Sequence, residues 1–440
     1  MRNIVPSAIL WLSTACIGVS TATAGPQPYV KQQGTCDGFP RLSIGMAPGY
    51  CAGLVFSPAD DGFRSRTVKT PRMLLQLDDK RWLLTDLGAW TDKRGKIWLM
   101  EVDSAGTVHI KEALGGLSLP HTIAFGPDGK IYVAEMNRIF RFNPDDGSTA
   151  TVIDGLPGNR LHIGRHPLSH FVVDGNGDLL VNVGADTDQC TDNQGVPLGA
   201  TCPESEGADA RGVIRRYAYQ GAGKWNATPT IVARGLRNSL VLVRHASGTI
   251  LQGENSYDFA PTGDRPYDEI NVIREGAHYG WPYCYDTDQA TPAWVGSAAI
   301  DCRSAAHEKP AAFLPPHAAP LGALYYGGVM FPALKGKMLM TWHGYRPSGS
   351  RLVSFDVDAK GVPLTVAHAK FPEYNGTTVT WKDYRPGPAA EPTILTPGWN
   401  LVTSQHPAGA PVAITVARDG ALWVTDDRNA AILRIAVDRP

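Results

Sequence analysis

A short turn-and-strand pattern recurs six times along this chain of 440 residues, and it constrains the fold more than any other feature. Each copy begins with a turn that contains Asp, Gly or Lys and continues as an apolar strand that ends in a small or acidic residue. The copies lie at residues 79–86, 128–135, 177–182, 247–252, 335–340 and 419–426. A second apolar run precedes most copies, as at 121–125, and a third follows several, as at 138–142. Strands joined by such turns form a β-meander.

Meanders that repeat at intervals of tens of residues are typical of propeller blades. The pattern therefore predicts an all-β protein, a six-bladed β-propeller. Because the copies are unevenly spaced, we expect long loops between residues 185 and 212 and between 255 and 330. The alternative is a β-sandwich or two β domains, although a sandwich need not repeat its hairpin so regularly. The 47 Gly and 34 Pro residues agree with a fold that has many turns.

Residues 1–24 have the pattern of a secretory signal peptide. Arg2 supplies the positive charge, Ala8 to Val19 is apolar, and Ala22-Thr23-Ala24 is a small-residue cleavage site. The apolar run is too short for a spanning helix, and no other stretch reaches membrane length. We expect one propeller domain over 25–440 in a periplasmic or secreted protein. Lipoprotein processing at Cys16 is the alternative, and the Ser three residues before this cysteine disfavours it.

Six cysteines remain after removal of the signal, an even number that favours disulfides in an oxidising compartment. They form three local pairs along the chain, so among fifteen possible connectivities we expect 36–51, 190–202 and 284–302. A zinc site is the alternative, but there is no C-x-x-C and none of the pairs has metal-type spacing. The absence of C-x-x-C-H excludes covalent haem.

Charge and motifs exclude several functional classes. With 41 Lys and Arg against 42 Asp and Glu, the chain is not a generally basic nucleic-acid binder. The sequence has no glycine-rich dinucleotide or P-loop fingerprint, no H-E-x-x-H and no G-x-S-x-G. Nicotinamide binding, phosphate transfer and serine hydrolysis therefore lack support, and polar clusters at the ends of the blade strands remain.

The first cluster contains His166 and His170, directly before the strand at 171–173. A histidine with an ordinary pKa near 6.5 can accept a proton at neutral pH, although a solvated loop histidine is the simpler interpretation of either one. The second cluster is 234–238, where Arg237 could hold an anion or form a surface salt bridge.

The third cluster spans 253–258, 268–273 and 276–283, where oxygen donors at a strand end could hold Ca²⁺. The Asp-Thr-Asp sequences at 186–188 and 286–288 are weaker calcium candidates, and a capped turn is their alternative.

Three motifs in this order resemble the soluble pyrroloquinoline-quinone (PQQ) sugar dehydrogenases, a family that includes the L-sorbosone and aldose dehydrogenase types. The motifs are Gly-Leu-Arg-Asn at 235–238, Asp-Glu-Ile-Asn at 268–271 and Tyr-Gly-Trp-Pro at 279–282. The resemblance runs from about Pro71 to the C-terminus, and also covers 120–129 and 342–344. The family fold is a six-bladed propeller, in agreement with the repeat count.

The resemblance implies roles for individual residues. The family's catalytic base is a histidine eighteen positions before the glycine that ends a strand of the third blade, and counting back from Gly184 gives His166 rather than His170. Arg237 corresponds to the arginine beside the reactive quinone carbonyl, and Asn238 follows it as expected.

The remaining implied residues hold the metal and the cofactor. Backbone carbonyls in the stretch Asn255, Ser256 and Tyr257 would hold the calcium that bridges to the quinone. Basic residues of the last two blades would meet the cofactor's carboxylates, and the nearest candidates are His343, Arg346 and Arg428.

The chain departs from the family pattern at two positions. Ala185 follows Gly184 where the glucose-oxidising members carry an acid beside the catalytic histidine. The sixth blade opens with Ala410 where the family usually has the arginine of an Arg-Pro-Val sequence. The substrate-side glutamine segment of the glucose enzymes is also missing, so glucose is not the expected substrate.

The resemblance implies oxidation of a sugar or aldehyde, aldose or sorbosone-like, to a lactone or acid, with PQQ and Ca²⁺ as cofactors and His166 as base. The electrons would leave to a cytochrome or quinone. One alternative is a secreted propeller that binds a ligand or protein without a cofactor. Another is a calcium-dependent lactonase, which would need several strand-ending side chains to converge on the axis: Glu135, Asn182, Glu254 and Asp426.

Overall fold

The computed structural model describes residues 27–58, 67–157, 166–207, 209–257, 265–344, 348–366, 369–374, 379–384, 388–399 and 408–439. Within these ranges the strands form six sheets of four or more strands, arranged as a six-bladed β-propeller. The predicted fold is therefore confirmed. The signal peptide predicted at 1–24 lies outside the described residues.

The first three strands of the chain belong to the last blade, and blades 1 and 2 follow them as four-stranded sheets. The opening strands are β1 (Lys31–Cys36), β2 (Phe39–Leu42) and β3 (Tyr50–Phe56). Blade 1 contains β4 (Pro71–Gln76), β5 (Arg81–Asp86), β6 (Gly95–Val102) and β7 (Val108–Leu117). Blade 2 contains β8 (Ile123–Phe125), β9 (Ile131–Glu135), β10 (Arg138–Phe142) and β11 (Thr149–Ile153).

Blades 3 and 4 carry the long insertions. The elements of blade 3 and its insertion are β12 (Phe171–Val173), β13 (Leu179–Val183), α1 (Pro203–Glu206), β14 (Val213–Tyr217), β15 (Tyr219–Gly221), β16 (Lys224–Trp225) and β17 (Thr230–Arg234). Those of blade 4 and its insertion are β18 (Val241–Arg244), β19 (Ile250–Glu254), β20 (Asp268–Val272), β21 (Ala277–His278), β22 (Cys284–Tyr285), β23 (Gln289–Ala290) and β24 (Ala312–Leu314). β21 pairs with β17 and so extends the sheet of blade 3.

Blades 5 and 6 complete the ring. Blade 5 and its neighbouring short strands are β25 (Pro320–Tyr325), β26 (Met338–Trp342), β27 (Arg351–Phe355), β28 (Thr365–Val366), β29 (Ala369–Tyr374), β30 (Val379–Tyr384), β31 (Ala389–Ala390) and β32 (Thr393–Ile394). The C-terminal strands of blade 6 are β33 (Pro411–Val416), β34 (Leu422–Asp426) and β35 (Ala431–Val437). Each of the six sequence repeats supplies the second strand of a blade: β5, β9, β13, β19, β26 and β34.

The two ends of the chain close the ring inside one sheet. β3 pairs antiparallel with β35, from Tyr50 opposite Val437 to Phe56 opposite Ile432. The sheet continues to β2 and β1, and the Cys36–Cys51 disulfide joins β1 to β3. Because N-terminal strands complete the blade begun by C-terminal strands, the last blade cannot separate from the ring without losing this ladder.

The axis of the propeller is filled by one apolar cluster with members from all six blades. All are buried, and each lies in an inner strand, shortly before an inner strand or directly after a second strand: Leu87, Leu119, Met136, Leu168, Leu240, Leu321, Val412 and Ala413. Burying a leucine side chain contributes roughly 1.5–3 kcal/mol. We call this the axial cluster; it holds the inner strands at fixed distances from one another.

Three threonines near the ends of repeat strands bond neighbouring blades to each other. Thr425 Oγ1 accepts from Ala413 N at 3.0 Å within blade 6 and donates to Arg72 O of blade 1 at 2.7 Å. Thr85 makes the same connection from blade 1 to the His121 carbonyl, two residues before β8 of blade 2, and Thr341 makes it from blade 5 to blade 6. In these blades the small residue in the repeat is therefore a hydrogen-bonding bridge between blades.

The three predicted disulfides are all present: Cys36–Cys51, Cys190–Cys202 and Cys284–Cys302. The second and third lie inside the long insertions, as the uneven repeat spacing predicted. Three intact disulfides indicate an oxidising compartment. No helix among the described residues is long and apolar enough to cross a membrane.

We predict that Thr425→Val lowers the free energy of unfolding by roughly 2–4 kcal/mol, because it leaves the Ala413 N–H and the Arg72 carbonyl without their partner. Urea unfolding of the purified protein measures the change. Thr107→Val, at an exposed turn, is the matched control and should stay within about 0.5 kcal/mol of wild type. Equal stability of the two variants would show that the threonine bridge is unimportant.

Candidate active site

The described candidate residues lie on one face of the ring. His166 and Arg237 stand before the inner strands β12 and β18, whereas Asn255, His343 and Arg428 follow the second strands β19, β26 and β34. Inner and second strands pair antiparallel, so the start of one and the end of the other share an edge of the blade. These residues therefore lie at the same edge of their blades.

The backbone of one residue, Ala185, holds His166 and Arg237 together. The imidazole Nδ1 of His166 lies 2.7 Å from the Ala185 carbonyl oxygen, and Ala185 N donates to Arg237 O at 2.9 Å. Since a carbonyl oxygen only accepts, Nδ1 carries the hydrogen and Nε2 keeps its lone pair. A backbone carbonyl thus orients His166, at the position where the sequence lacks the family's acid.

The glycine before Ala185 permits this approach. A Cβ atom on Gly184 would lie 2.4 Å from the His166 carbonyl oxygen and 2.6 Å from the His166 Cβ. Neither neighbour could yield without moving the histidine backbone, so any larger residue would displace His166. Gly184 is therefore part of the support for the candidate base.

The other histidine of the cluster, His170, is structural. It is buried, with Nδ1 at 2.8 Å from Thr122 Oγ1 and Nε2 at 3.3 Å from Leu242 O. Its backbone N–H donates to Asn182 Oδ1. Burial lowers the pKa of His170 to about 4. Its ring nitrogens are engaged by the protein, which agrees with the choice of His166 as the base.

Arg237 is buried among three oxygens. Its Nη1 donates to Asn255 O at 2.9 Å and to Ser256 O at 2.7 Å, and its Nη2 lies 2.6 Å from Asp188 Oδ1. The side chain is only 4% exposed. Arg237 is therefore a fixed, desolvated positive charge rather than a surface salt bridge. Asp188 belongs to an Asp-Thr-Asp sequence that we had considered as a weak calcium candidate.

The segment after β19 is fixed by side-chain and backbone bonds. Ser256 N donates to Asp268 Oδ1 at 2.9 Å, and Asn255 Nδ2 donates to Pro320 O at 3.1 Å. Tyr257 is buried, and its hydroxyl donates to Cys284 O at 2.8 Å. These bonds leave the Asn255 and Ser256 carbonyl oxygens converging on one position, which Arg237 Nη1 occupies.

Asn238 connects this segment to the arginine. Its backbone N–H donates to Glu254 Oε1 at 2.9 Å, and its carbonyl accepts from Asn255 N at 3.3 Å. Glu254 is fully buried, and burial raises its pKa to about 7. The predicted residues around Arg237 thus form one hydrogen-bonded group.

His343 belongs to a second group, which crosses from blade 5 to blade 2. Its Nε2 lies 2.8 Å from Asp427 Oδ1, and Arg72 Nη1 donates to Asp427 Oδ2 at 2.7 Å. Arg72 Nε donates to His121 Nδ1 at 3.1 Å. Burial opposes ionisation of Asp427, but His343 and Arg72 outweigh it and hold the pKa of this carboxyl below its usual value.

His121 ends this group with a buried donor. Arg72 donates to its Nδ1, so the hydrogen of the neutral ring is on Nε2. The side chain is 0% exposed, and Nε2 has no hydrogen-bond partner among the residues that the structure describes. Buried N–H groups are rarely left unpaired, so this donor calls for an explanation such as an ordered water, an ion or a functional role.

Sequence reasoning missed Arg72, His121 and Asp427, and it treated Asp188 only as part of a weak calcium candidate. His121 lies within a segment that carries the family resemblance, but its neighbours along the chain gave no sign of a role. Of the residues that were predicted, Arg428 is half-buried and its backbone N–H donates to Asp426 Oδ1 at 3.1 Å. Arg346 lies outside the described residues.

The strand-ending acids have structural partners. Asp86, Glu135, Glu254 and Asp426 each accept the backbone N–H of the segment that enters their own blade, from Thr70, Ser118, Asn238 and Ala410 respectively. Asn182 likewise accepts from His170 N. No group of three or more metal-ligating His, Cys, Asp or Glu residues occurs in the described ranges. The lactonase alternative needed these side chains on the axis, whereas the backbone engages them.

Fold and site together define a six-bladed propeller that presents a histidine, a buried arginine and paired carbonyl oxygens on one face. Residues 159–360 match the sequence model of the family described as Glucose / Sorbosone dehydrogenase. This match, over a little under half of the chain, confirms the resemblance seen in the sequence.

Three relatives illustrate the similarity. The calcium structure of a Trichoderma reesei carbohydrate-active enzyme of family AA12 is 16% identical, with a TM-score of 0.64, over 95% of this chain and 100% of that one. The holo form of the PQQ domain of Coprinopsis cinerea pyranose dehydrogenase is 17% identical, with a TM-score of 0.60, over 93% and 100%. An uncharacterized protein of Borreliella burgdorferi is 27% identical over 327 residues, 70% of this chain and 72% of that protein. At these identities the two structures show a shared fold.

We predict that His170 contributes to acid denaturation. Its pKa is about 4 in the folded protein and about 6.5 in the unfolded chain, so the unfolded chain is protonated first and stability falls as pH drops from about 6.5 through 4. In His170→Gln this fall should be shallower, by up to about 1.4 kcal/mol per pH unit, in urea unfolding measured across the range. The exposed control His109→Gln should keep the wild-type slope. An unchanged slope in His170→Gln would contradict the assignment of this histidine as a buried neutral ring.

Proposed function

We propose that the protein is a PQQ- and Ca²⁺-dependent dehydrogenase that oxidises an aldose, a sorbosone-like sugar or another aldehyde to a lactone or acid. The observation that carries the proposal is the backbone of Ala185, whose carbonyl oxygen binds His166 and whose N–H donates to the Arg237 carbonyl. The converging Asn255 and Ser256 carbonyls lie beside this arginine. The candidate base, the buried arginine and two carbonyl oxygens that could bind a metal thus lie on one face of a propeller shared with sugar dehydrogenases.

The residues present suit the two cofactors. Carbonyl oxygens that converge on one position are hard donors of the kind that Ca²⁺ prefers. The Nε2–H of His121, which has no partner among the described residues, is a donor suited to an anionic oxygen. His343 and Arg428 add positive or polar groups nearby in the fold. Asn238 and Arg346 remain predicted cofactor residues, and Tyr257 remains a predicted metal ligand through its backbone. PQQ supplies, when bound, an ortho-quinone that accepts a hydride.

The protein's own part of the oxidation is to take a proton and to stabilise charge. His166 has its Nδ1–H fixed on the Ala185 carbonyl, so Nε2 can accept the hydroxyl proton of a sugar lactol or an aldehyde hydrate. The substrate carbon loses a hydride in the same reaction and becomes the carbonyl carbon of a lactone or acid. Arg237 is rigid and desolvated, which makes it a strong stabiliser of negative charge that develops beside it.

The comparisons support this proposal. The Coprinopsis relative is a PQQ domain in its holo form, and the Trichoderma relative is a calcium structure.

We propose further that residues 1–24 direct export, that 25–440 form one propeller domain in the periplasm or outside the cell, and that a cytochrome or quinone takes up the electrons. A family of glucose and sorbosone dehydrogenases favours a sugar as the small-molecule substrate.

The test is a titration of the purified protein with PQQ and Ca²⁺, followed by absorbance and by dye reduction with a panel of aldoses and aldehydes. We expect PQQ to bind and at least one sugar to reduce the dye. His166→Ala should still bind PQQ but lose roughly 10²–10⁴-fold in turnover, because the proton acceptor is gone. His109→Ala, at an exposed site, is the control and should retain wild-type turnover.

Two results would refute parts of the proposal. Full turnover in His166→Ala would remove the base assignment. Absence of PQQ binding by a folded protein would refute the dehydrogenase and favour the cofactor-free binding module.

A further inference from the structure

The position of the Arg237 guanidinium raises a question about the calcium site, and the inference here rests on the proposed function. Nη1 donates to two consecutive carbonyls, at 2.9 Å to Asn255 O and 2.7 Å to Ser256 O. Ca²⁺ binds oxygen at about 2.3–2.6 Å. An ion held by both carbonyls would therefore lie close to where this nitrogen is.

We propose that Arg237 is an internal cation that competes with Ca²⁺ for the Asn255 and Ser256 carbonyls, so that the metal binds only when the guanidinium moves off them. Two positive charges separated by a few ångströms in a buried site repel each other strongly. The carbonyl lone pairs that Nη1 uses are also the ones that an ion at this position would need.

The arginine rather than the backbone must give way. The peptide that carries the Asn255 carbonyl has its N–H, on Ser256, bound to Asp268 Oδ1 at 2.9 Å. Asp268 Oδ2 also accepts from Ala319 N at 2.7 Å, so this carboxylate holds two segments in place. Rotating the peptide away from Arg237 would break these bonds, whereas the arginine side chain has several rotatable bonds.

We expect Arg237 to keep its ion pair with Asp188 when the guanidinium moves off the carbonyls. The carboxylate binds Nη2, whereas Nη1 donates to the two carbonyls. Asp188 is itself anchored, because its carbonyl accepts from Trp281 Nε1 at 2.8 Å and the Cys190–Cys202 disulfide begins two residues later. Arg237 can thus turn about Asp188 and stay close to the reacting face. Asp188 is in this sense a positioning residue for Arg237.

Removal of Arg237 alone would not isolate the competition, since it takes the arginine away from the buried Asp188 carboxylate. That would cost stability and would attract Ca²⁺ for another reason. We therefore compare Asp188→Asn with the double variant Asp188→Asn/Arg237→Gln, two proteins that differ only at the arginine. Arg244→Gln makes the same charge change at the other end of β18, on the opposite face, and serves as the control.

The measurement is the Kd for Ca²⁺ by isothermal titration calorimetry without PQQ, with circular dichroism and urea unfolding to verify the fold of each variant. We expect the double variant to bind Ca²⁺ at least tenfold more tightly than Asp188→Asn, and Arg244→Gln to match wild type within about twofold, as a long-range charge effect would be screened.

Equal Kd values in the two folded variants would overturn the competition and leave the proposed calcium site standing. Failure of every folded variant to bind Ca²⁺ would overturn both the competition and the calcium part of the proposed function. If Arg244→Gln increased the affinity for Ca²⁺ as much as the double variant does, the increase would be explained by the change in net charge. That result would also overturn the proposal.

Discussion

Closure of the ring is the constraint on which the other features depend. The ladder between β3 and β35 joins the two ends of the chain in one blade, and Thr425 joins that blade to blade 1 through the Arg72 carbonyl. With the circle closed, the segments that enter the inner strands are held side by side around the axial cluster. His166 and Arg237 lie two and three residues from the cluster members Leu168 and Leu240, so packing on the axis fixes their backbones.

The candidate site is built mainly from backbone groups. The carbonyl and the N–H of Ala185 join His166 to Arg237, and the Asp268 carboxylate joins Ser256 N to Ala319 N. The Ala319 carbonyl in turn accepts from His343 N. Hydrogen bonds to peptide groups therefore run from blade 3 to blade 5 along one face. Such a frame tolerates changes of side chain, which explains how His166 stays oriented without the acid that the glucose-oxidising members carry.

Particular residues show how far sequence reasoning reached. Counting from Gly184 selected His166 over His170, and the burial of His170 among Thr122 and Leu242 agrees with that choice. The three disulfides followed from local spacing. The role of Asp188 did not, because an Asp-Thr-Asp sequence looks the same whether it caps a turn or reaches across a folded insertion to an arginine. Arg72 and His121 were missed for the same reason, since their partners lie on other blades.

The sequence by itself determined the local periodic features of this protein. Alternating strands, tight turns, paired cysteines and the order of the family motifs are properties of neighbouring residues, and they sufficed to predict the six blades and to detect the resemblance to the family. Only the tertiary structure decided which carbonyls meet Arg237, which peptide orients His166 and what the strand-ending acids bind. Those outcomes depend on hydrogen bonds between segments far apart in the chain, whose directions are set by ring closure and by packing on the axis and are not encoded in any local pattern.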